Sequence, residues 1–170
     1  TCALPISDAL RLQNRGDVRT FCPSRLVETI RASINVLGPL LAVKGHVRLD
    51  MPGGDDFGTR PIDMHIAGLS AMGVEFDVDG THIEASAGHL HGAHIELEFP
   101  SVGATENILT AAVHADGETV LVNAAREPEV ADLCEMLVKM GADIEGIGTS
   151  TVRVVGVPRG SLKQIGRAHV

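Results

Sequence analysis

The 170-residue chain contains no tryptophan, no tyrosine and only four phenylalanines. The aromatic platforms on which single-stranded nucleic acids stack are therefore missing. Positive charge is also scarce: 14 Lys and Arg stand against 22 Asp and Glu, a formal net charge of −8, which opposes broad electrostatic binding to nucleic acid or anionic lipid. An anionic ligand must meet a local basic patch. The three cysteines, Cys2, Cys22 and Cys134, form neither a CxxC pair nor an even disulfide framework, so a reducing compartment, the cytoplasm, is expected. No run approaches the roughly 18 apolar residues of a membrane span, Ile34 to Val43 being the nearest and too short. No charged n-region with an apolar h-region opens the chain either. What is there, with 44% hydrophobic residues, is globular in composition and long enough to bury roughly two-thirds of its unfolded surface.

Both ends read as foreign. Thr1 to Ile6 can be back-translated as ACG TGT GCT CTT CCG ATC, and the reverse complement of that reading, shifted by one base, encodes Ile165-Gly166-Arg167-Ala168-His169-Val170. One DNA oligonucleotide on both sides of an insert, such as a sequencing adapter, explains the pair. Residues 1–7 and 165–170 are accordingly expected to be adapter-derived, and residues 8–164 to be a partial protein.

Inside that span, Ile30, Ile34, Leu37 and Leu41 recur at helical spacing and predict an amphipathic helix from Leu26 to Val43, ending near Gly45. His46 to Leu49 alternates as a strand, and a glycine-rich segment, Pro52 to Gly58, leads to Pro61 in the first turn of a helix that should bury Ile62, Ile66 and Leu69. Val74 to Val78 and His82 to Ala85 flank Asp79-Gly80 as a β-hairpin. The same order then returns: strand His94 to Glu98, helix Gly103 to His114, strand Thr119 to Val122, helix Pro128 to Met140, hairpin Ala142 to Val155. Arg60-Pro61 through Met72-Gly73-Val74 overlays Glu127-Pro128 through Met140-Gly141-Ala142, each a Pro-started helix ended by Met-Gly. Two βαβαββ-like units predict an α/β (α+β) architecture.

The chemistry-bearing signals each admit a plain reading. Three glycines between Pro52 and Gly58 fit a lid or a backbone cradle, and equally a strand-to-helix turn; Thr59-Arg60 replaces the Lys-Ser/Thr of a phosphate-binding P-loop. Arg60, ahead of a Pro-started helix, suits an anion held by guanidinium and helix terminus together, or a surface pair with Asp56 or Asp63. Ser101-Val102-Gly103 opens another helix, where Ser101 is an N-cap and Gly103 permits close backbone approach. His89, His91 and His94 offer three imidazoles with no fourth ligand at a typical spacing, which favours a solvated loop over a metal site. Cys134 shares a helix face with Val130, Leu133 and Leu137 and reads as a buried, inert thiol. Ser101 lacks the GxSxG setting of a hydrolase nucleophile.

Taken together, several segments resemble one family. They are Arg31-Ala32-Ser33-Ile34 with Val36-Leu37-Gly38-Pro39-Leu40, Pro52-Gly53-Gly54, Gly58-Thr59-Arg60-Pro61-Ile62-Asp63-Met64-His65, Phe99-Pro100-Ser101-Val102-Gly103-Ala104-Thr105-Glu106-Asn107 and Asn123-Ala124-Ala125-Arg126-Glu127-Pro128. The family is that of the UDP-N-acetylglucosamine enolpyruvyl transferases, and the likeness runs from about Leu26 to Pro158. Asp55 and Glu98-Phe99-Pro100 are most similar to its actinobacterial branch. The resemblance implies inside-out α/β barrel domains, two of them, built from βαβαββ units around a cleft; this chain is then most of one domain, and the second domain is its missing partner. The implied reaction transfers the enolpyruvyl group of phosphoenolpyruvate to the 3-hydroxyl of UDP-N-acetylglucosamine and releases phosphate, in peptidoglycan synthesis. No metal and no organic cofactor is implied.

Carried over by residue, the resemblance places Asp55 where most members have a loop cysteine that protonates the substrate's methylene carbon. A free carboxyl titrates near 3.9 against about 8.5 for a thiol, so Asp55 needs lid closure and a neighbouring charge, such as Asp56, to act as general acid. The same replacement predicts insensitivity to the epoxide fosfomycin, which alkylates the family's thiolate. Arg60, Pro61, Ile62, Asp63 and Met64 match the segment holding the uridine and diphosphate, Arg31 a nucleotide-sugar contact, and Ser101, Val102 and Gly103 the turn over the diphosphate. Phe99 stands where some members carry lysine. Two alternatives stay beside this one: a non-catalytic nucleotide-sugar binding module, and the sister enolpyruvylshikimate-phosphate synthases, which lack the PSVGATEN and NAAREPE stretches.

Overall fold

Short strands with one apolar face dominate the order of elements. A computed structural model describes the backbone of residues 2–6, 9–13, 16–53 and 62–163, and the side chains of residues 16–53 and 62–163. A hairpin of β1 (Cys2–Ile6) and β2 (Ala9–Gln13) comes first. Next are β3 (Phe21–Cys22), α1 (Ser24–Val27), a 3₁₀ segment (Arg31–Val36), α2 (Leu37–Lys44), β4 (His46–Asp50), α3 (Asp63–Ala71), β5 (Glu75–Val78) and β6 (His82–Ser86). A second set follows: β7 (His94–Glu96), α4 (Val102–Ala112), β8 (Glu118–Val122), α5 (Pro128–Met140), β9 (Asp143–Glu145) and β10 (Thr151–Val155).

Two four-stranded sheets result, ordered β3-β4-β6-β5 and β7-β8-β10-β9. In each the first pair is parallel and the other two are antiparallel. A parallel pair cannot be joined by a tight turn, so helices carry the crossover: α1, the 3₁₀ segment and α2 in one unit, α4 in the other. The βαβαββ repeat expected from the sequence is thus present in the backbone. Strands β4, β6, β8 and β10 alternate, burying Val47, Leu49, Ile83, Ala85, Leu121, Val152 and Val154 on one face. Helix α4 is buried along most of its length and packs against α2, α3 and α5. Helices inside and sheets outside is the inside-out arrangement; among the described residues no closed barrel forms. Each fully buried side chain of this core, Leu37, Leu41, Ile108 and Leu109 among them, contributes roughly 1.5–3 kcal/mol.

Two glycines set the helix spacing. A Cβ on Gly38 would lie 2.1 Å from the Asn107 backbone oxygen, and one on Gly68 would lie 2.4 Å from Ile108 Cδ1. Helices α2 and α3 therefore approach α4 through faces that have no room for a methyl group.

Strand β7 stops at Glu96 and helix α4 at Ala112, each two residues short of expectation, and the structure differs more in two other places. The predicted Leu26–Val43 helix is broken into α1, an extended Ile30 (φ −138°, ψ 118°), the 3₁₀ segment and α2. Pro39 lacks an N–H, and its ring would strike the Asn35 carbonyl in a continuous α-helix. Val27 O, for its part, accepts from Gly53 N at 3.1 Å and from Ser33 Oγ at 3.2 Å. Helix α3, in turn, buries His65, Gly68 and Leu69, leaving Ile62 and Ile66 only partly covered, because Gly68 has to face α4. Helix α5 matches its predicted bounds to the residue: Pro128 starts it, and Gly141, at φ 112°, caps it. Cys134 is buried on that helix, and burial pushes its thiol pKa up. Among the described residues no helix is long and apolar enough to cross a membrane.

Candidate functional site

The N-terminal end of α4 is the centre of the site. Ser101 has extended backbone (φ −132°, ψ 118°) and its Oγ accepts from Ala104 N at 3.4 Å, so the capping role read from the sequence is real. With Ser101 as cap, the first-turn N–H groups of Val102 and Gly103 are among those a helix leaves without intrahelical partners. Both residues line a cleft of about 440 Å³, together with Arg31, Ala32, Ile34, Asn35, His65, Ser101, Glu106 and Glu129.

The structure places Arg31, Ser101, Val102 and Gly103, residues that the resemblance names, on the lining of this one cleft. Arg31 opens the 3₁₀ segment, and its Nη1 donates to Pro52 O at 3.2 Å, which ties the cleft to the first residue of the glycine-rich segment. Gly53 follows, so close to Glu28 that a Cβ would meet its carbonyl oxygen at 1.8 Å. Asp55, Arg60 and Pro61 lie outside the described residues. Ile62 precedes α3, half-buried. Asp63 and Met64 do not join the cleft; they line a neighbouring hollow of about 340 Å³ with His94, Glu96 and Glu98. Phe99 is exposed. Among the described residues no group of three or more His, Cys, Asp or Glu side chains could hold a metal ion.

Four polar lining residues were not singled out by the sequence: Asn35, His65, Glu106 and Glu129. His65 is 7% exposed, and its pKa is lowered to about 4, first by burial and then by the Arg31 charge, against a smaller opposing pull from Asp63. Glu106 has its carboxyl pKa raised, by burial and then by Glu129. Asn35 Nδ2 donates to Glu106 Oε2, while Asn35 Oδ1 is buried without a partner. One signal was available. Gly68 in the middle of a predicted helix marks a close approach, and His65, three residues earlier, shares its face.

The NAAREPE stretch supports this cleft from behind. Asn123 adopts φ 57°, which Asn tolerates better than most residues, and its Nδ2 donates to Leu97 O at 2.9 Å. Ala125 N donates to the buried Thr105 Oγ1 at 3.0 Å, pinning the β8-to-α5 turn to α4. Glu129, in the first turn of α5, reaches the cleft rim from there.

Known proteins share both the pattern and the fold. A family model described as EPSP synthase (3-phosphoshikimate 1-carboxyvinyltransferase) matches residues 6–170. A curated relative from Nitratidesulfovibrio vulgaris (strain DSM 19637 / Miyazaki F), named UDP-N-acetylglucosamine 1-carboxyvinyltransferase, is 51% identical over 84% of this chain and 34% of its own length. One of the same name from Paramagnetospirillum magneticum is 55% identical over 82% of this chain and 33% of its own length. This chain spans about a third of the length of the curated relatives it matches. Among solved structures, the enolpyruvyl transferase NikO from Streptomyces tendae superposes with a TM-score of 0.69 at 23% identity, covering 89% of this chain and 35% of that one. An EPSP synthase from Acinetobacter baumannii gives 0.61 at 25% identity, over 78% and 29%. The repeated βαβαββ units, the inside-out packing and the match over residues 6–170 lead to one conclusion: the chain belongs to the EPSP synthase (3-phosphoshikimate 1-carboxyvinyltransferase) family.

Proposed function

We propose that the protein carrying this chain is a UDP-N-acetylglucosamine 1-carboxyvinyltransferase, moving the enolpyruvyl group of phosphoenolpyruvate to the sugar 3-hydroxyl with release of phosphate, in peptidoglycan synthesis. The observation that carries this reading is the 51–55% identity to curated relatives of that name, against 25% to a solved EPSP synthase. Arg31 and the Ser101-Val102-Gly103 turn, gathered in one cleft, supply a cation and helix N–H donors for a nucleotide diphosphate. In this reading Arg60, Pro61, Ile62, Asp63 and Met64 complete the nucleotide side, with Asp63 accepting from the base. Asp55 is the general acid: its proton goes to the methylene carbon of phosphoenolpyruvate while the sugar 3-hydroxyl gives its own proton to a base of the second domain and its oxygen bonds to the neighbouring carbon. The new methyl group then returns a proton to a basic group of the cleft as phosphate leaves, which forms the enol ether. The substrates are small, soluble anions, and the cytoplasm is the compartment this reading assigns.

Phosphate release by the full-length protein tests it. Turnover is expected with phosphoenolpyruvate and UDP-N-acetylglucosamine and not with shikimate 3-phosphate; Asp55→Ala is expected to cost about 10²–10⁴-fold in kcat. Turnover with shikimate 3-phosphate alone overturns the assignment, nucleotide-sugar binding without phosphate release leaves a binding module, and unchanged Asp55→Ala turnover removes Asp55 from the chemistry. Residues 1–7 and 165–170 we assign to a DNA oligonucleotide on one back-translation of Thr1 to Ile6 alone, since the family match itself runs over residues 6–170. Sequencing the genomic flanks decides that point.

A further inference from the structure

Asn107 is fully buried in the middle of α4, and its carboxamide is held from three sides. Gly38 N donates to its Oδ1 at 2.8 Å; its Nδ2 donates to Ile34 O at 3.1 Å and lies 2.8 Å from His65 Nδ1. The backbone fixes the orientation of this amide. An N–H can only donate and a carbonyl can only accept, so Oδ1 must face Gly38, and both Nδ2 hydrogens are committed to Ile34 and His65. His65 Nδ1 must then accept, and the proton of the neutral imidazole sits on Nε2.

The Nε2 edge of the ring faces the cleft. A Cβ on Gly103 would stand 3.1 Å from His65 Cε1, 3.4 Å from His65 Nε2 and 3.3 Å from Asn35 Oδ1. Gly103 is thus the window through which a side chain more than nine-tenths buried meets the cleft. Nε2 has no protein partner among the described residues, and Asn35 Oδ1 is buried and unpartnered beside it. The charged groups around the ring are Arg31, Asp63, Glu106 and Glu129. One fixed donor and one fixed acceptor, side by side next to a guanidinium, complement a sugar phosphate, whose anionic oxygen accepts and whose hydroxyl donates.

We infer that Asn107 is a positioning residue that fixes His65 as a neutral Nε2–H donor, and that this N–H bonds a diphosphate oxygen of the ligand seated against Gly103. The ligand half rests on the nucleotide-sugar reading above; the Asn107 half does not. No residue in the motif stretches is given this task by its type alone. It emerges only where α2, α3, α4 and the 3₁₀ segment meet.

The test uses the full-length protein labelled with nitrogen-15 at histidine. In the wild type at neutral pH, His65 is expected as the Nε2–H tautomer, with Nε2 shifting on addition of UDP-N-acetylglucosamine. Asn107→Asp is expected to move a proton onto Nδ1, since a carboxylate there accepts and does not donate. His65→Phe should weaken UDP-N-acetylglucosamine binding about ten- to a hundredfold, as expected for a lost bond to a charged oxygen, and His65→Gln, whose carboxamide N–H reaches the same side, should restore most of it. An Nδ1–H tautomer or an imidazolium in the wild type overturns the Asn107 assignment, even if Asn107→Asp does not fold. Equal affinity in His65→Phe overturns the ligand contact while leaving the nucleotide-sugar reading intact. A wild type that binds no UDP-N-acetylglucosamine refutes that reading and the ligand half with it, and the tautomer still judges Asn107.

Discussion

Gly38→Ala puts two effects of opposite sign on one residue. In an exposed helix the change would be favourable by about 1 kcal/mol, because alanine has the higher helix propensity. At this position the new methyl carbon would stand 2.1 Å from Asn107 O, 2.4 Å from Thr110 Oγ1 and 2.9 Å from Asn107 C. Two of these atoms are backbone and cannot rotate aside, and Thr110 Oγ1 is bonded to Glu106 O at 2.7 Å. Helices α2 and α4 would have to part by roughly 1 Å, an overpacking cost of about 1–3 kcal/mol. That movement also stretches the buried Gly38 N to Asn107 Oδ1 bond, exposing a further cost of about 1–3 kcal/mol. The sum outweighs the propensity gain and leaves a net loss of about 1–5 kcal/mol. Urea unfolding of the full-length protein, followed by far-ultraviolet circular dichroism, should show a lower midpoint at an unchanged m-value. Gly88→Ala, where a Cβ meets nothing within 4 Å, is the control and should leave the midpoint in place. A Gly38→Ala midpoint equal to or above wild type would refute the close-packing argument.

His65 makes stability depend on pH in a defined window. Its pKa is about 4 in the folded state against an ordinary 6.5, so as pH falls the unfolded chain takes up the proton first. The associated stability is complete above about pH 6.5, declines below it and is gone near pH 4, a swing of about 3 kcal/mol. Subtracting the unfolding profile of His65→Gln should isolate this slope, and identical profiles would show that the imidazole is not held neutral. Fosfomycin should not inactivate the wild-type full-length protein, while Asp55→Cys should confer time-dependent, irreversible inactivation, because a thiolate opens the epoxide and a carboxylate is a far weaker nucleophile. Rapid loss of wild-type activity in that assay would contradict the reading of Asp55.

What the sequence revealed followed the range of each signal. Helix α5 was legible to the residue because its start (Pro128), its stop (Gly141) and its core positions (Val130, Cys134, Leu137) are all local. The stretch from Leu26 to Val43 was not, because its periodicity runs straight through Pro39 and says nothing of the Val27 carbonyl being taken by Gly53 and Ser33. In the site, Ser101 and Gly103 declare themselves through cap chemistry and backbone approach, and Arg31 through its motif. His65 and Asn107 do not. Each is a polar residue on the buried face of a helix, and its meaning depends on which helix lies opposite. Gly38 and Gly68 were the hints, since a glycine inside a periodic helix is tolerated only where something presses close.

The strand order of the two sheets bears on how copies of the protein behave when crowded. Among the described residues both sheets end on a short strand, β5 and β9, that pairs on only one side. Glu75 and Asp77 on one, Asp143 and Glu145 on the other, are exposed and alternate with half-buried Phe76 and Ile144. An open strand edge invites another chain to continue the sheet. Here a neighbour offering the same edge would bring carboxylate against carboxylate at each second residue, and repulsion would meet it before any ladder could form. The acidity that opposes polyanions also keeps these edges apart, so acidification or high salt is where association between copies should first be seen.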